Sequence, residues 1–80
     1  MKRTIFLKLG YETGPAIRAK MFKQFRQDIK PLAYIKIIKE FEPRAELIIE
    51  FEDARYQDMY DTLRKLDSVE MIDPILAKDA

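Results

Sequence analysis

Apolar and polar residues alternate strictly in the stretch 44–53, and this is the clearest pattern in the chain. One side of a strand with this pattern carries Leu47, Ile49 and Phe51. The opposite side carries Glu46, Ile48, Glu50 and Glu52. The alternation predicts a half-buried strand, and its length and its position after a turn favour a central place in a small sheet.

Two earlier segments also predict strands. Residues 4–9 alternate in the same way, with Phe6 and Lys8 on the less buried face. Residues 32–41 are rich in β-branched side chains, which favour strands. The predicted inner face of this second strand carries Ala33, Ile35, Ile37 and Phe41. Its predicted outer face carries Tyr34, Lys36, Ile38 and Glu40.

Two segments have apolar residues at helical spacing. The first helix is predicted from Pro15 to about Ile29, with Thr13 or Gly14 as N-cap, and proline suits its first turn. Its apolar positions are Ile17, Met21, Phe22, Phe25 and Ile29. The second helix is predicted from Ala54 to about Leu66, with Asp53 as N-cap. Its apolar stripe is Tyr56, Met59, Tyr60, Leu63 and Leu66.

The connections between these segments predict the fold. Glu42-Pro43-Arg44 is short enough to join the second and third strands as an antiparallel hairpin. Val69 to about Ala77 predicts a last strand, and Pro74, which has no backbone donor, favours a sheet edge or a bulge. The order βαββαβ predicts an α+β, ferredoxin-like sandwich, in which two helices cover one face of a four-stranded antiparallel sheet. The first and third strands should be central.

Composition narrows the class of protein. Eighty residues, with 48% apolar and 36% charged content, predict one globular domain spanning 1–80. The absence of cysteine and histidine excludes disulfides and thiolate zinc sites and removes the commonest general base. The apolar run after Met1-Lys2-Arg3 is interrupted by Lys8 and is shorter than a signal peptide or a membrane span. We therefore expect a cytoplasmic protein with no membrane attachment and no cofactor.

Charge is divided along the chain. Residues 1–39 contain ten Lys/Arg and two carboxylates, a net charge of +8, whereas residues 40–80 contain five Lys/Arg and twelve carboxylates, a net charge of −7. A basic segment favours a polyanionic partner, but opposite charges in one domain also complement each other internally or between two copies. Both interpretations stay open at this point.

Four segments, spread over nearly the whole chain, follow the pattern of one known family. Ile5-Phe6-Leu7-Lys8 is similar to the first-strand signature of the RNA-recognition motif, and Met21-Phe22-Lys23-Gln24-Phe25 resembles the first-helix pattern of that family. The segment Ile48 to Ala54 resembles the end of its third-strand signature, and Leu76-Ala77-Lys78 resembles a common ending. The resemblance implies a ferredoxin-like fold and single-stranded RNA binding on the open sheet face, where aromatic side chains stack on bases.

The third strand departs from the signature of that family at its stacking positions. Arg44 matches the first position of the signature and Phe51 the last. Between them, Ala45 replaces a glycine, and Glu46 and Ile48 replace the two aromatic residues. Each lost stacking contact is worth about 1–3 kcal/mol per base, and a carboxylate at such a place repels phosphate. These departures favour a protein partner over RNA.

The candidate binding residues lie on the predicted open face or at its edge. They are Phe6, Lys8, Tyr34, Lys36, Ile38, Arg44, Glu46 and Ile48. Phe6, Tyr34 and Ile48 would form a small apolar patch, and exposed apolar patches mark interaction sites. The alternative is an ordinary set of cross-strand pairs in which the lysines neutralise the glutamates.

The three glutamates of the open face could in principle form a metal site or an acid–base pair. No loop supplies backbone ligands for a hard cation, and nothing in the sequence separates the carboxylate pKa values. We therefore predict a non-catalytic, metal-free module that binds a protein partner or a second copy of itself, as a homo-oligomer. Single-stranded RNA binding through the sheet face is the alternative.

Overall fold

A computed structural model describes residues 1–10, 14–66, 69 and 71–72. It is an α+β structure with a three-stranded antiparallel sheet of seven-residue strands and two helices. The elements are β1 (Lys2–Lys8), α1 (Pro15–Ile29), β2 (Ile35–Phe41), β3 (Glu46–Glu52) and α2 (Tyr56–Leu63). Short 3₁₀ turns, Glu42–Arg44 and Asp53–Arg55, precede β3 and α2. No helix in the described ranges is long and apolar enough to cross a membrane.

Strand β3 lies between β2 and β1 and is antiparallel to both. Its pairing with β1 is regular over the whole strand, from Lys2 opposite Glu52 to Lys8 opposite Glu46. A two-residue segment, Met71–Ile72, pairs with the far side of β1, with Ile72 opposite Leu7. The rest of the predicted last strand, 69–77, lies outside the described residues apart from Val69.

The core lies between the two helices and one face of the sheet. The alternate positions of β3, Leu47, Ile49 and Phe51, are buried, as the sequence predicts. They form one cluster with buried residues of β1 and both helices. These are Ile5, Leu7, Leu9, Phe22, Phe25, Ile29, Met59 and Leu63. Each large side chain of this kind contributes roughly 1.5–3 kcal/mol when it is fully buried, so this face holds the domain together.

Both helices occur where the sequence places them, but α2 is shorter than the predicted Ala54–Leu66, and Ile17 of the predicted apolar face of α1 is 55% exposed. Gly14 is the N-cap of α1 and Pro15 stands in its first turn, as predicted. The prediction that Asp53 caps the second helix is wrong, because Asp53 begins a 3₁₀ turn and no side-chain cap is made there. Its carboxylate accepts a hydrogen bond from Arg3 Nη1 at 3.2 Å instead, so a long-range ion pair replaces the local cap.

The hairpin between β2 and β3 ends on a residue with a positive φ. Ala45 has φ 53° and ψ 38°, the left-handed conformation that costs an L-residue roughly 1–2 kcal/mol. Its carbonyl accepts a hydrogen bond from the amide of Leu9 at 2.7 Å, and its side chain is buried. The tertiary contacts therefore hold Ala45 at a position where glycine would be free of strain.

Strand β2 differs from the prediction in its start and in its facing. It begins at Ile35 rather than Leu32, so Ala33, an exposed residue, and Tyr34 lie in a turn before it. A β-bulge at Ile38 separates the pairs Ile37–Ile49 and Lys39–Ile48. Because one residue is inserted, every later side chain of the strand changes face.

The bulge reverses the predicted facing of Glu40 and Phe41. Glu40 stands opposite Leu47, on the helix-covered face, and its carboxylate accepts two hydrogen bonds from Arg26 of α1, at 2.9 and 2.6 Å. These hydrogen bonds raise the pKa of the Arg26 guanidinium above its usual value. Phe41 stands opposite Glu46, on the open face. The alternation predicted the opposite face for both residues.

The Arg26–Glu40 pair offers a test of the bulge. A double-mutant cycle with Arg26→Gln and Glu40→Gln should give a coupling of about 0.5–1 kcal/mol, discounted for solvent because the Arg26 side chain is 50% exposed. Urea denaturation of the four proteins measures this coupling. A coupling of zero, which the regular alternation would give, contradicts a stabilising contact between Arg26 and Glu40.

Candidate functional site

The open face of the sheet is the face turned away from the core cluster. Strand β1 contributes Lys2, Thr4, Phe6 and Lys8, and β3 contributes Glu46, Ile48, Glu50 and Glu52. Strand β2 contributes Lys36, Lys39 and Phe41, which stand opposite Glu50, Ile48 and Glu46. Within the described residues, neither helix packs on this side, since the buried residues of both helices belong to the core cluster.

An apolar cluster of three residues, Phe6, Phe41 and Ile48, occupies the middle of the open face. Ile48 is only 6% exposed although it lies outside the main core. Phe6 stands directly opposite Ile48, and the rings of Phe6 and Phe41 are 6.4 Å apart between centroids at an angle of 32°. Cross-strand neighbours of this kind lie close enough for their side chains to cover one another. The two aromatic rings therefore shield Ile48 from solvent.

Charged side chains surround the apolar cluster in rows that follow the strands. The central strand β3 carries the glutamates, and the lysines lie on β1 and β2 on either side. Glu50 Oε1 forms a salt bridge with Lys2 Nζ at 3.3 Å. The ammonium group of Lys39 lies 5.1 Å from the centroid of the Phe41 ring. The open face thus has a row of glutamates between two rows of lysines, with the apolar cluster at its centre.

Five of the eight predicted binding residues lie together on the open face. They are Phe6, Lys8, Lys36, Glu46 and Ile48. Lys8 Nζ also donates a hydrogen bond to the carbonyl of Arg44 at 2.8 Å. Arg44 itself is exposed and belongs to the 3₁₀ turn at one end of the face, and Ile38 is the bulge residue, 49% exposed on the edge strand.

Tyr34 is separate from the apolar cluster. It lies in the turn before β2 and packs partly against the core, with the Arg55 guanidinium 4.0 Å from its ring centroid. It also lines an open hollow of about 290 Å³ with Lys2, Lys36 and Glu50 among others. The predicted patch of Phe6, Tyr34 and Ile48 therefore does not form, and Phe41 takes the place that was expected for Tyr34.

Sequence reasoning missed Phe41 and Lys39 as members of the open face. Strict alternation through the strand predicts the inner face for Phe41, and Lys39 is not among the predicted binding residues. The signal for the bulge is the pair Ile37-Ile38 between two lysines, where two consecutive apolar residues break the alternation. A bulge at this pair turns the next lysine and the next aromatic residue to the open face.

No group of three metal-ligating side chains occurs in the described ranges. Among the carboxylates of the face, Glu50 is paired with Lys2, and Glu52 with the N-terminal ammonium group at 3.3 Å. What the face offers chemically is an apolar centre with lysine and glutamate side chains around it. Comparison of the chain with protein-family models, curated proteins and solved structures gave no significant match.

The burial of Ile48 can be tested against Ile38, which is exposed. Ile48→Ala should lower the free energy of unfolding by about 2 kcal/mol, because it removes a side chain that Phe6 and Phe41 cover. Ile38→Ala should change it by less than about 0.5 kcal/mol. Urea denaturation measures both values. Equal effects of the two substitutions would mean that the open-face cluster does not bury Ile48.

Proposed function

We propose that the chain is a non-catalytic binding module that contacts protein, either another chain or a second copy of itself, through its open sheet face. The observation that carries the proposal is the cluster of Phe6, Phe41 and Ile48 on a face that no described helix covers. An apolar centre with a charged rim is the usual composition of protein interfaces. The lysines and glutamates around the cluster supply such a rim.

For the fold, we propose a ferredoxin-like sandwich similar to the RNA-recognition motif. Three observations support it: the strand order β2-β3-β1, the helices that follow β1 and β3, and the pairing of Met71–Ile72 with β1. Nuclear Overhauser contacts between the backbone of residues 69–77 and β1 are expected along several consecutive residues. Contacts confined to the pairs Leu7–Ile72 and Lys8–Met71 would contradict a full fourth strand.

A protein partner fits the open face better than RNA because of the row of glutamates on β3. Glu46, Glu50 and Glu52 run along the middle of the face, where a phosphate backbone would approach them. The two aromatic rings also lean over Ile48 rather than standing free for stacking on bases. A protein surface can place lysines against the glutamate row and glutamates against the lysine rows.

Single-stranded RNA binding remains the second candidate, and one observation favours it. Phe6 and Phe41 lie on the same face with a lysine above one ring, and aromatic rings and cations together bind single strands. This candidate requires affinity that falls steeply with salt and weakens in Phe6→Ala.

We propose a non-catalytic role because Glu50 and Glu52, which line the open hollow beside Tyr34, are both engaged in ion pairs. We also propose a cytoplasmic location. The chain has no cysteine, so its stability does not draw on disulfides, which form in oxidising compartments.

Site-specific photocrosslinking in the native host tests the proposed function. A photoreactive phenylalanine analogue replaces Lys39, an exposed residue on the open face, and in a control it replaces Lys20, an exposed residue on α1. We expect covalent adducts with protein, either the chain itself or another one, at position 39 and several-fold fewer at position 20. Mass spectrometry of the crosslinked peptides identifies the material that is bound.

Two results of this crosslinking would count against protein binding by the open face. Adducts at position 39 that are no more abundant than at position 20 would mean that the open face has no dedicated partner. Adducts at position 39 that contain RNA and are lost in Phe6→Ala would favour the second candidate.

A further inference from the structure

The register of β1 and β3 makes the open face complementary to itself. The cross-strand pairs on this face combine either opposite charges or two apolar side chains. They are Lys2 opposite Glu52, Phe6 opposite Ile48, and Lys8 opposite Glu46. Only Thr4, opposite Glu50, departs from the pattern, and a hydroxyl can donate a hydrogen bond to a carboxylate. The charged pairs lie toward the two ends, and the apolar pair lies in the middle.

We propose that the partner on the open face is a second copy of this chain, related by a two-fold axis that runs parallel to the strands, between β1 and β3. This inference rests on the proposed function and names its partner. Such an axis places β1 of one copy over β3 of the other and keeps each residue at its own height along the strand. Each open-face side chain of β1 is paired with a residue of β3 in its own sheet. Across the interface it faces the same β3 residue in the second copy.

The contacts follow directly from this symmetry. Phe6 lies over the position of Ile48 in the second copy, where it meets the aromatic rings that cover Ile48, and Lys8 lies over Glu46 and Lys2 over Glu52. Each contact occurs twice because the interface is isologous. Sheets that pack face to face are about 10 Å apart and rotated by about 30°. The match is therefore closest at the central apolar pair and looser at the charged ends.

Other placements of the axis match less well. An axis through the centre of β3 would set the glutamate row of one copy against the same row of the other. An axis between β2 and β3 would place Lys36 over Glu50, but it would also place Phe41 over Glu46 and Lys39 over Ile48, so that apolar groups meet charged ones. Of these axes parallel to the strands, the one between β1 and β3 brings apolar residues together and opposite charges together in the same arrangement.

Charge reversal tests this arrangement because each variant disrupts its own dimer and complements the other. In Lys8→Glu, two carboxylates face each other across the interface, and in Glu46→Lys two ammonium groups do so. Each variant alone should self-associate at least about tenfold more weakly than the unchanged chain. An equimolar mixture of the two should recover association, as a heterodimer. Sedimentation equilibrium at micromolar concentration, at low and moderate salt, measures each constant.

Matched controls separate the interface from the overall charge. Lys20→Glu on α1 and Asp61→Lys on α2 change the net charge by the same amounts on the opposite side of the domain, and they should leave the association constant unchanged. The double variant Lys8→Glu/Glu46→Lys restores opposite charges within each sheet and across the interface. It should associate as the unchanged chain does, and it keeps the test decisive if a single reversal fails to fold.

Three results would overturn the inference. One is an unchanged chain that is monomeric at both salt concentrations. The second is a dimer that neither single reversal weakens, and the third is a mixture that shows no recovery although both variants are folded by circular dichroism. If open-face crosslinks to another protein persist alongside any of these results, the proposed binding function stands and only the identity of the partner is wrong.

Discussion

Burial of β3 on both of its faces is the constraint on which the structure depends. Leu47 and Ile49 have no exposed surface on the core side, and Ile48 between them is nearly buried on the other side. A one-residue slip of this strand would exchange the two sets and place Glu46 and Glu50 in the core, which is prohibitive without partners. The register of β1 and the position of both helices therefore follow from β3. The β-bulge lies in β2, the hairpin partner of β3, where Ile38 is exposed to solvent.

The sequence predicts those parts of the fold in which local pattern and tertiary packing agree. The inner faces of β1 and β3, the bounds of α1 and the antiparallel hairpin are all predicted from periodicity and turn chemistry. The side-chain orientation of β2 after Ile37 cannot be predicted in this way, because it is decided by contacts with residues that are distant in sequence. Glu40 reaches Arg26 and Phe41 reaches Phe6 only if one residue is inserted into the pairing. Asp53 fails as a helix cap for the same reason, since Arg3 lies fifty residues away in sequence.

The candidate site was predicted in composition but not in arrangement. Phe6, Lys8, Lys36, Glu46 and Ile48 could be assigned to one face because that assignment needs only the alternation of regular strands. The second aromatic residue could not be identified, since the bulge exchanges Tyr34 for Phe41 as the neighbour of Phe6. This exchange matters physically. Phe41 stands opposite Glu46 with its ring 6.4 Å from that of Phe6, whereas Tyr34 lies in the turn before β2 with Arg55 over its ring.

The burial of Ile48 also limits how strongly any partner can bind the open face. Because Phe6 and Phe41 already cover this side chain, a partner gains less apolar area there than an exposed patch of the same residues would offer. The charged rows add little net free energy, since an ion pair buried at an interface roughly breaks even against its desolvation. They do penalise every arrangement that brings like charges together. We therefore expect the open face to gain selectivity and register from its charges, and modest affinity from its apolar centre.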